Sequence, residues 1–197
     1  MKNVGIIILA AGNSSRLGQP KQLLAYKETT LLKNTVKEAS LVPHAVVIVV
    51  TGSNHELIEK ELDNTAVKIS FNPDWETGMS SSIVKGLKDL LRLQPDIQKC
   101  IFTVCDQPFV TGALFTNLVE EDQKSGKGIT ASEYTATLGT PVLFDKKYFA
   151  ELLELEGQDG AKKIITKYLD DTAKVPFEKG SIDIDTEDDY NKLISEF

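Results

Sequence analysis

Short apolar runs separated by longer amphipathic stretches set the rhythm of the first two thirds of the chain. Val4 to Leu9, Ala45 to Val50, Val67 to Phe71 and Cys100 to Val104 are mostly β-branched or aromatic and only five or six residues long, so they predict buried strands. Between them, Thr30 to Ser40, His55 to Leu62, Ser81 to Leu93 and Gly112 to Ser125 carry apolar residues three or four apart, as Ile83, Leu87, Leu90 and Leu91 do. These predict helices. Alternation of the two implies an α/β fold: a Rossmann-like, open, mainly parallel sheet with helices on both faces. After Gly128 the pattern changes to strands at Ile129 to Ser132 and Thr140 to Phe144, helical stretches at Lys146 to Leu153 and Gly160 to Leu169, and a strand near Lys174 to Phe177. An antiparallel edge and a substrate lobe are expected there. Thr186-x-x-Asp189 reads as a capping box opening a last amphipathic helix, Glu187 to Ile194.

A chain of 197 residues, 41% of them hydrophobic, can bury one substantial core, and a single domain over residues 1–197 is expected. Gly126-Lys127-Gly128 reads as a loop rather than a boundary. The longest apolar runs, Ile6 to Ala11 and Ala45 to Val50, fall far short of the roughly 20 residues that span a bilayer. With no signal-peptide profile at the N-terminus, a cytoplasmic location is expected. Cys100 and Cys105 lie near either end of one strand and point to opposite faces, which implies buried, reduced thiols. His44 and His55 have no metal-ligand spacing. The net charge of −7 argues against nucleic acid or an anionic membrane as partner.

Candidate chemistry begins where the first strand empties into Leu9-Ala10-Ala11-Gly12-Asn13-Ser14-Ser15-Arg16-Leu17-Gly18-Gln19-Pro20-Lys21. Glycines and short side chains let backbone N–H groups close around phosphate oxygens, and Arg16 and Lys21 supply positive charge. The small residues also suit an ordinary turn; the two cations favour phosphate. Neither G-x-x-x-x-G-K-[ST] nor G-x-G-x-x-G follows this strand, which disfavours a P-loop NTPase and a dehydrogenase. Asp106 directly follows the strand Cys100 to Cys105, which puts it at the same carboxyl edge of the sheet, where open α/β sheets bind ligands. It could equally cap the next turn. Asp183 and Asp185 alternate with Ile182 and Ile184, so an extended chain would place both carboxylates on one face and both isoleucines in the core. Asn72, Gly78, Ser80, Ser81 and Ser82 surround a helix start and suit either a base and ribose or a plain helix cap. Trp75 lies beside them.

In order along the chain, L-A-A-G-x-S-x-R-L-G at Leu9 to Gly18, Asn72-Pro73 with Gly78-Met79-Ser80-Ser81-Ser82, Cys105-Asp106-Gln107-Pro108, Gly139-Thr140-Pro141-Val142-Leu143-Phe144, Gly157 to Ala161, and Asp183-Ile184-Asp185-Thr186-Glu187-Asp188 resemble the motifs of the molybdenum cofactor nucleotidyltransferases. The cytidylyltransferase-like branch, including purine-catabolism accessory proteins, is nearest, because the guanylyltransferase branch usually has L-A-G-G where this chain has Leu9-Ala10-Ala11-Gly12. The resemblance implies transfer of CMP from CTP to the terminal phosphate of molybdenum-bearing molybdopterin, with release of pyrophosphate. It implies that Leu9, Ala10, Ala11, Gly12, Ser14, Ser15, Arg16, Lys21, Asn72, Gly78, Ser80 and Ser82 hold the nucleotide. It further implies that Asp106 and Asp185 hold Mg²⁺, that Arg16, Lys21, Asp106 and Asp185 act in catalysis, and that GTP is the competing nucleotide. Residues 1–110 would then serve mainly the nucleotide and 111–197 mainly the acceptor, with a molybdenum hydroxylase apoenzyme as recipient. Thr140 stands where many relatives have His, and Lys162-Lys163 where an Arg is common, so the acceptor is less defined than the chemistry. A sugar or alditol phosphate acceptor, or a non-catalytic nucleotide or cofactor carrier, are the alternatives.

Overall fold

The computed structural model describes residues 4–158 and 160–195. Strand β1, Val4–Leu9, is buried along its whole length, because it lies between two parallel neighbours and beneath helices on both faces. On one side it pairs with β4, Val46–Thr51, and on the other with β6, Lys99–Val104. β5, Lys68–Phe71, extends the sheet beyond β4. A two-residue hairpin, β2 at Ala25–Tyr26 and β3 at Thr29–Thr30, stands apart from the sheet.

Side chains alternating along β1 feed two cores. Ile6 and Ile8 join Leu32 and Val36 of α1 (Leu31–Ser40), Ile58 of α2 (His55–Glu61), and Leu114, Phe115 and Leu118 of α4 (Gly112–Ser125). Ile7 and Leu9 face the other way, onto Ile83, Leu87 and Leu90 of α3 (Met79–Leu93), Leu152 of α5 (Phe149–Leu153) and Ile164 and Ile165 of α6 (Lys162–Lys167). This is the expected two-faced, mainly parallel sheet.

The C-terminal third departs from expectation. The sheet order is β5-β4-β1-β6-β8-β7-β9, with β7 at Ile129–Tyr134, β8 at Thr137–Asp145 and β9 at Thr172–Pro176. β8 runs antiparallel to both β6 and β7, so the reversed strand is interior, and the edge strand β9 is parallel to β7. The expected antiparallel strand is present but interior rather than at the edge, and the expected substrate lobe is part of one continuous sheet. The helical stretch from Lys146 starts as a 3₁₀ turn, Lys146–Tyr148, before α5, and the next is confined to α6.

The last helix, α7 at Glu187–Ser195, opens with the expected capping box: the Asp189 N–H donates to Thr186 Oγ1 at 3.2 Å, and the Thr186 N–H donates to Asp189 Oδ2 at 2.9 Å. Leu193 packs with Ile184, Leu24, Tyr26 and Leu31 in a third cluster, while the Tyr190 hydroxyl donates to the Ala25 carbonyl at 2.9 Å. Ile184 is fully buried there, but Ile182 is 38% exposed, so only one of the two isoleucines serves the core. Burying Ile184 contributes about 1.5–3 kcal/mol and fixes the segment that carries Asp185.

Cys100 and Cys105 are buried in opposite cores. Burial, reinforced by the Asp106 charge, pushes the Cys105 thiol up to about 12, and burial alone raises Cys100. Thiolate is the reactive form, so the native protein should give essentially no reaction with a thiol reagent at pH 8, and both cysteines should react after unfolding in guanidinium. Labelling of either in the native state would contradict this packing.

Candidate active site

Asp106 lies just past the end of β6, and its backbone carbonyl accepts from the Ile184 N–H at 3.0 Å. That bond, with the Gln107 side-chain bond to the Gly180 carbonyl and the burial of Ile184, sets the C-terminal segment across the sheet's carboxyl edge. The two aspartates then converge on the loop after β1: Lys21 Nζ lies 2.5 Å from Asp106 Oδ2 and 2.8 Å from Asp185 Oδ1, while Arg16 Nη2 donates to Asp185 Oδ2 at 2.7 Å. Residues 169 positions apart in sequence thus form one cluster.

The electrostatics follow from that arrangement. Burial acting alone would lower the Lys21 pKa, but the Asp106 charge and the hydrogen bonds to Asp106 and Asp185 outweigh it and hold the ammonium above the ordinary lysine range. Burial likewise pushes Asp185 up, and the Lys21 bond and charge with help from Arg16 bring it below the usual carboxylate range. Asp183 goes the other way, raised by burial and by the neighbouring charges of Asp185 and Asp106. It lines the site without sharing the Lys21 ammonium.

Two cavities meet at Asp106. The first, about 350 Å³, is lined by Leu9, Ala10, Ala11, Gly12, Asn13, Lys21, Gln22, Trp75, Gly78, Ser82 and Gln158, among others. The second, about 550 Å³, is lined by Gln107, Tyr134, Thr135, Thr137, Thr140, Ser181 and Asp183. Met79, Val104 and Asp106 belong to both walls. A larger depression of about 820 Å³ beside α1, lined by residues such as Thr29, Lys33 and Lys37, lies among none of these groups. Size alone does not mark the site.

Of the sequence-predicted residues, Leu9, Ala10, Ala11, Gly12, Lys21, Gly78 and Ser82 line the first cavity. Ser14 and Ser15 belong instead to the loop's own framework: Ser14 Oγ accepts from the Lys21 N–H at 3.0 Å, and the Ser15 N–H donates to Asn13 Oδ1 at 3.2 Å. Asn72, 2% exposed, turns inward and donates to Ser81 Oγ at 2.9 Å and Ser82 Oγ at 3.0 Å, bracing the start of α3. Ser80 is fully buried, its N–H donating to the Gly157 carbonyl at 3.2 Å, so direct contact with a base or ribose is ruled out in this conformation. Gly78 has φ of +122°, and a Cβ there would run into the Gly157 carbonyl. Glycine is required where these two loops cross.

Gln22, Tyr134 and Gly52 carry no sequence signal of their own, and Gln158 and Gln107 stand out in the sequence only as members of longer motifs. Gln22, 1% exposed, donates through Nε2 to the Ala10 and Gly12 carbonyls, both at 2.9 Å. Gln158 brings the Gly157 to Ala161 loop onto the first cavity; Asp159 of that loop lies outside the described residues. Gln107 and Tyr134 shape the second cavity, with Gln107 Nε2 donating to the Gly180 carbonyl at 2.7 Å. Gly52 admits the close approach of Trp75, since a Cβ there would stand 2.6 Å from the Trp75 Cβ and 2.8 Å from the Ala11 Cβ. As for the two departures, the Thr140 hydroxyl donates to Gln107 Oε1 at 3.2 Å. Lys162 and Lys163 are absent from both linings.

Asp106 and Asp185 suit a hard divalent cation. Two carboxylate oxygens already reach one cationic centre, and Mg²⁺ is commonly held by one or two carboxylates completed by substrate phosphate and water. Among the described residues no group of three or more His, Cys, Asp or Glu side chains is placed to hold a metal, so phosphate oxygens and water would have to complete the shell. No helix among the described residues is long and apolar enough to cross a membrane.

A mainly parallel sheet with helices on both faces, carrying a cationic loop and facing carboxylates at its carboxyl edge, is the nucleotide-diphospho-sugar transferase fold of nucleotidyltransferases. The chain belongs to the family of the MobA-like NTP transferase domain, whose model matches residues 6–172. It is 25% identical over 192 residues to the molybdenum cofactor cytidylyltransferase of Escherichia coli (strain K12), covering 96% of this chain and 95% of that one. Similarity to a probable molybdenum cofactor guanylyltransferase of Bacillus mycoides (strain KBAB4) is 28% over 141 residues, covering 72% and 62%. The crystal structure of an Rv0371c homologue from Mycobacterium sp. strain JC1 superposes with a TM-score of 0.85 at 29% identity, covering 98% and 96%. The chain is a nucleotidyltransferase of this type.

Proposed function

We propose that the protein transfers CMP from CTP to the terminal phosphate of molybdenum-bearing molybdopterin and releases pyrophosphate, with Mg²⁺ as cofactor. The observation that carries this reading is the shared wall: Asp106 borders both cavities, as a group acting between a nucleotide and an acceptor must. Residues 1–110 then serve mainly the nucleotide and 111–197 mainly the acceptor, although Gln158 and Asp185 cross that division.

Phosphoryl-type displacement needs in-line placement and dispersal of charge more than a covalent nucleophile. Backbone amides of the Ala10 to Asn13 loop receive phosphate oxygens, and Arg16 and Lys21 hold the pyrophosphate that leaves. Asp106 and Asp185 would hold Mg²⁺, which when bound would supply Lewis acidity to the reacting phosphate oxygens. Met79 and Val104 complete the wall and help keep water away from the junction. Trp75 and Ala11 close the first cavity on the side assigned to the base.

A sugar or alditol phosphate is the second reading for the acceptor. It is favoured by the hydroxyl-rich lining of the second cavity, Tyr134, Thr135, Thr137, Thr140 and Ser181, with no Lys, Arg or His lining it among the described residues. Incubating the protein with each NTP, Mg²⁺ and molybdenum cofactor or a sugar phosphate, then identifying products by mass spectrometry, decides between acceptors. A carrier of nucleotide or cofactor to a molybdenum hydroxylase would release no pyrophosphate.

CTP rather than GTP rests on Ala11, whose methyl takes space that a purine could use. Pocket differences of that size are worth about 1–3 kcal/mol. In competition between equimolar CTP and GTP the CMP-linked product should predominate, and Ala11→Gly should narrow the preference by roughly tenfold. Predominance of the GMP-linked product in the wild type would overturn the assignment.

A further inference from the structure

In this structure the centre of the candidate metal site is already taken by Lys21. Its ammonium lies within hydrogen-bonding reach of Asp106 Oδ2 and Asp185 Oδ1 together, and Arg16 engages the second oxygen of Asp185. The Lys21 side chain is 16% exposed and those of Asp106 and Asp185 are 18% and 30% exposed, so the contact is screened less than a surface pair. At the contact itself two carboxylates face two cations, with Asp183 close enough to feel the charges of both carboxylates and of Lys21. A divalent ion drawn to those same carboxylate oxygens, at the roughly 2.1 Å that Mg²⁺ demands, would collide with the ammonium. It would also find no third acidic, His or Cys ligand among the described residues.

We propose, building on the nucleotidyltransferase reading, that Lys21 bars free divalent ions from this site and that the enzyme accepts metal only together with a nucleoside triphosphate. Lys21 also lines the first cavity, so a bound triphosphate competes with the two aspartates for its ammonium. Drawing the ammonium onto phosphate frees the carboxylates, and the phosphate oxygens supply the ligands that the protein lacks. Metal and triphosphate therefore tighten each other's binding by the same factor, as linkage requires.

The test is direct titration of Mn²⁺ by electron paramagnetic resonance, without nucleotide, on the wild type and on Lys21→Met. The variant should bind free Mn²⁺ at least about tenfold more tightly, within the usual range of coupling between sites. The gain should vanish in the double variant Lys21→Met/Asp106→Asn, which ties it to this site. Circular dichroism checks that Lys21→Met is folded. If it is not, Lys21→Gln, which keeps an N–H donor for Asp106 without the charge, takes its place with the same expectation. Mn²⁺ binding no tighter in the folded variant than in the wild type overturns the proposal, as does a gain that survives Asp106→Asn. Because this readout needs no turnover, a wild type inactive in nucleotide transfer would sink the functional reading while leaving the Mn²⁺ result to decide this one.

Discussion

Asp106→Ala should remain folded and lose at least ~10²-fold in kcat, the scale found when one preorganised transition-state contact is removed. The fold survives because Asp106 supports the C-terminal segment through its backbone carbonyl, which accepts from the Ile184 N–H and is unchanged in alanine. Lys21 keeps Asp185 as a partner, so the substitution does not strand a buried cation. What disappears is the carboxylate on the wall common to both cavities. Asp185→Ala should show a loss of the same order, with the added release of Arg16. Asp183→Ala should be milder, since Asp183 faces the second cavity and does not share the Lys21 ammonium. Steady-state kinetics on the three folded variants checks the ranking. Near-normal kcat in Asp106→Ala would remove it from the chemistry, and a reversed order of Asp183 and Asp185 would move the metal to Asp183.

The first two thirds of the chain were legible because their signals are local. Buried parallel strands read as continuous apolar runs, and β1 and α4 occupy the residues their patterns predict. The position of Arg16, Lys21 and Asp106 at the carboxyl edge was legible, because they follow strand ends in an open sheet, whereas the choice of Asp185 over Asp183 came from the family resemblance and not from its place in the chain. The antiparallel insertion of β8 was not legible. Its hairpin with β7 turns at Thr135 and Ala136, with φ of 50° and 58°, in a place where Asn-Gly would announce such a turn. With ordinary residues in left-handed conformations, nothing local marks the reversal. That turn also sets Tyr134, Thr135 and Thr137 around the second cavity, so the lining of that cavity was hidden along with it.

Ser80 and Asn72 show a different limit. Small polar residues at a helix start read alike whether they touch a ligand or brace the backbone, and only burial separates the two. Asn72 spends its amide on Ser81 and Ser82, which holds Ser82 at the cavity while Asn72 itself stays inside. Gln22 is the converse case, a residue in a 3₁₀ turn at Lys21–Leu23 whose importance depends on two carbonyls ten and twelve positions earlier.

Gln22→Met should lower kcat/KM by about 10²-fold, the cost of a modest misplacement of binding groups, with the loss falling on KM for the nucleotide and kcat changed far less. Gln22 draws the Ala10 and Gly12 carbonyls toward itself. In a planar trans peptide the following N–H points the opposite way, so the Ala11 and Asn13 N–H groups are turned away from Gln22 and left for phosphate oxygens. Methionine matches glutamine in length but donates nothing. The buried Ala10 carbonyl, left unsatisfied, costs about 1–3 kcal/mol, and the loop would relax until water or another donor reached it. The amide cradle would then have to be rebuilt by every incoming triphosphate. Because backbone amides read no base, KM should rise by similar factors for all four NTPs, which separates this loss from any change in the base pocket. Gln22→Glu should be at least as damaging, since an ionised carboxylate there accepts hydrogen bonds and faces two carbonyls. A Gln22→Met enzyme with unchanged nucleotide KM would show that the loop holds its shape without this residue.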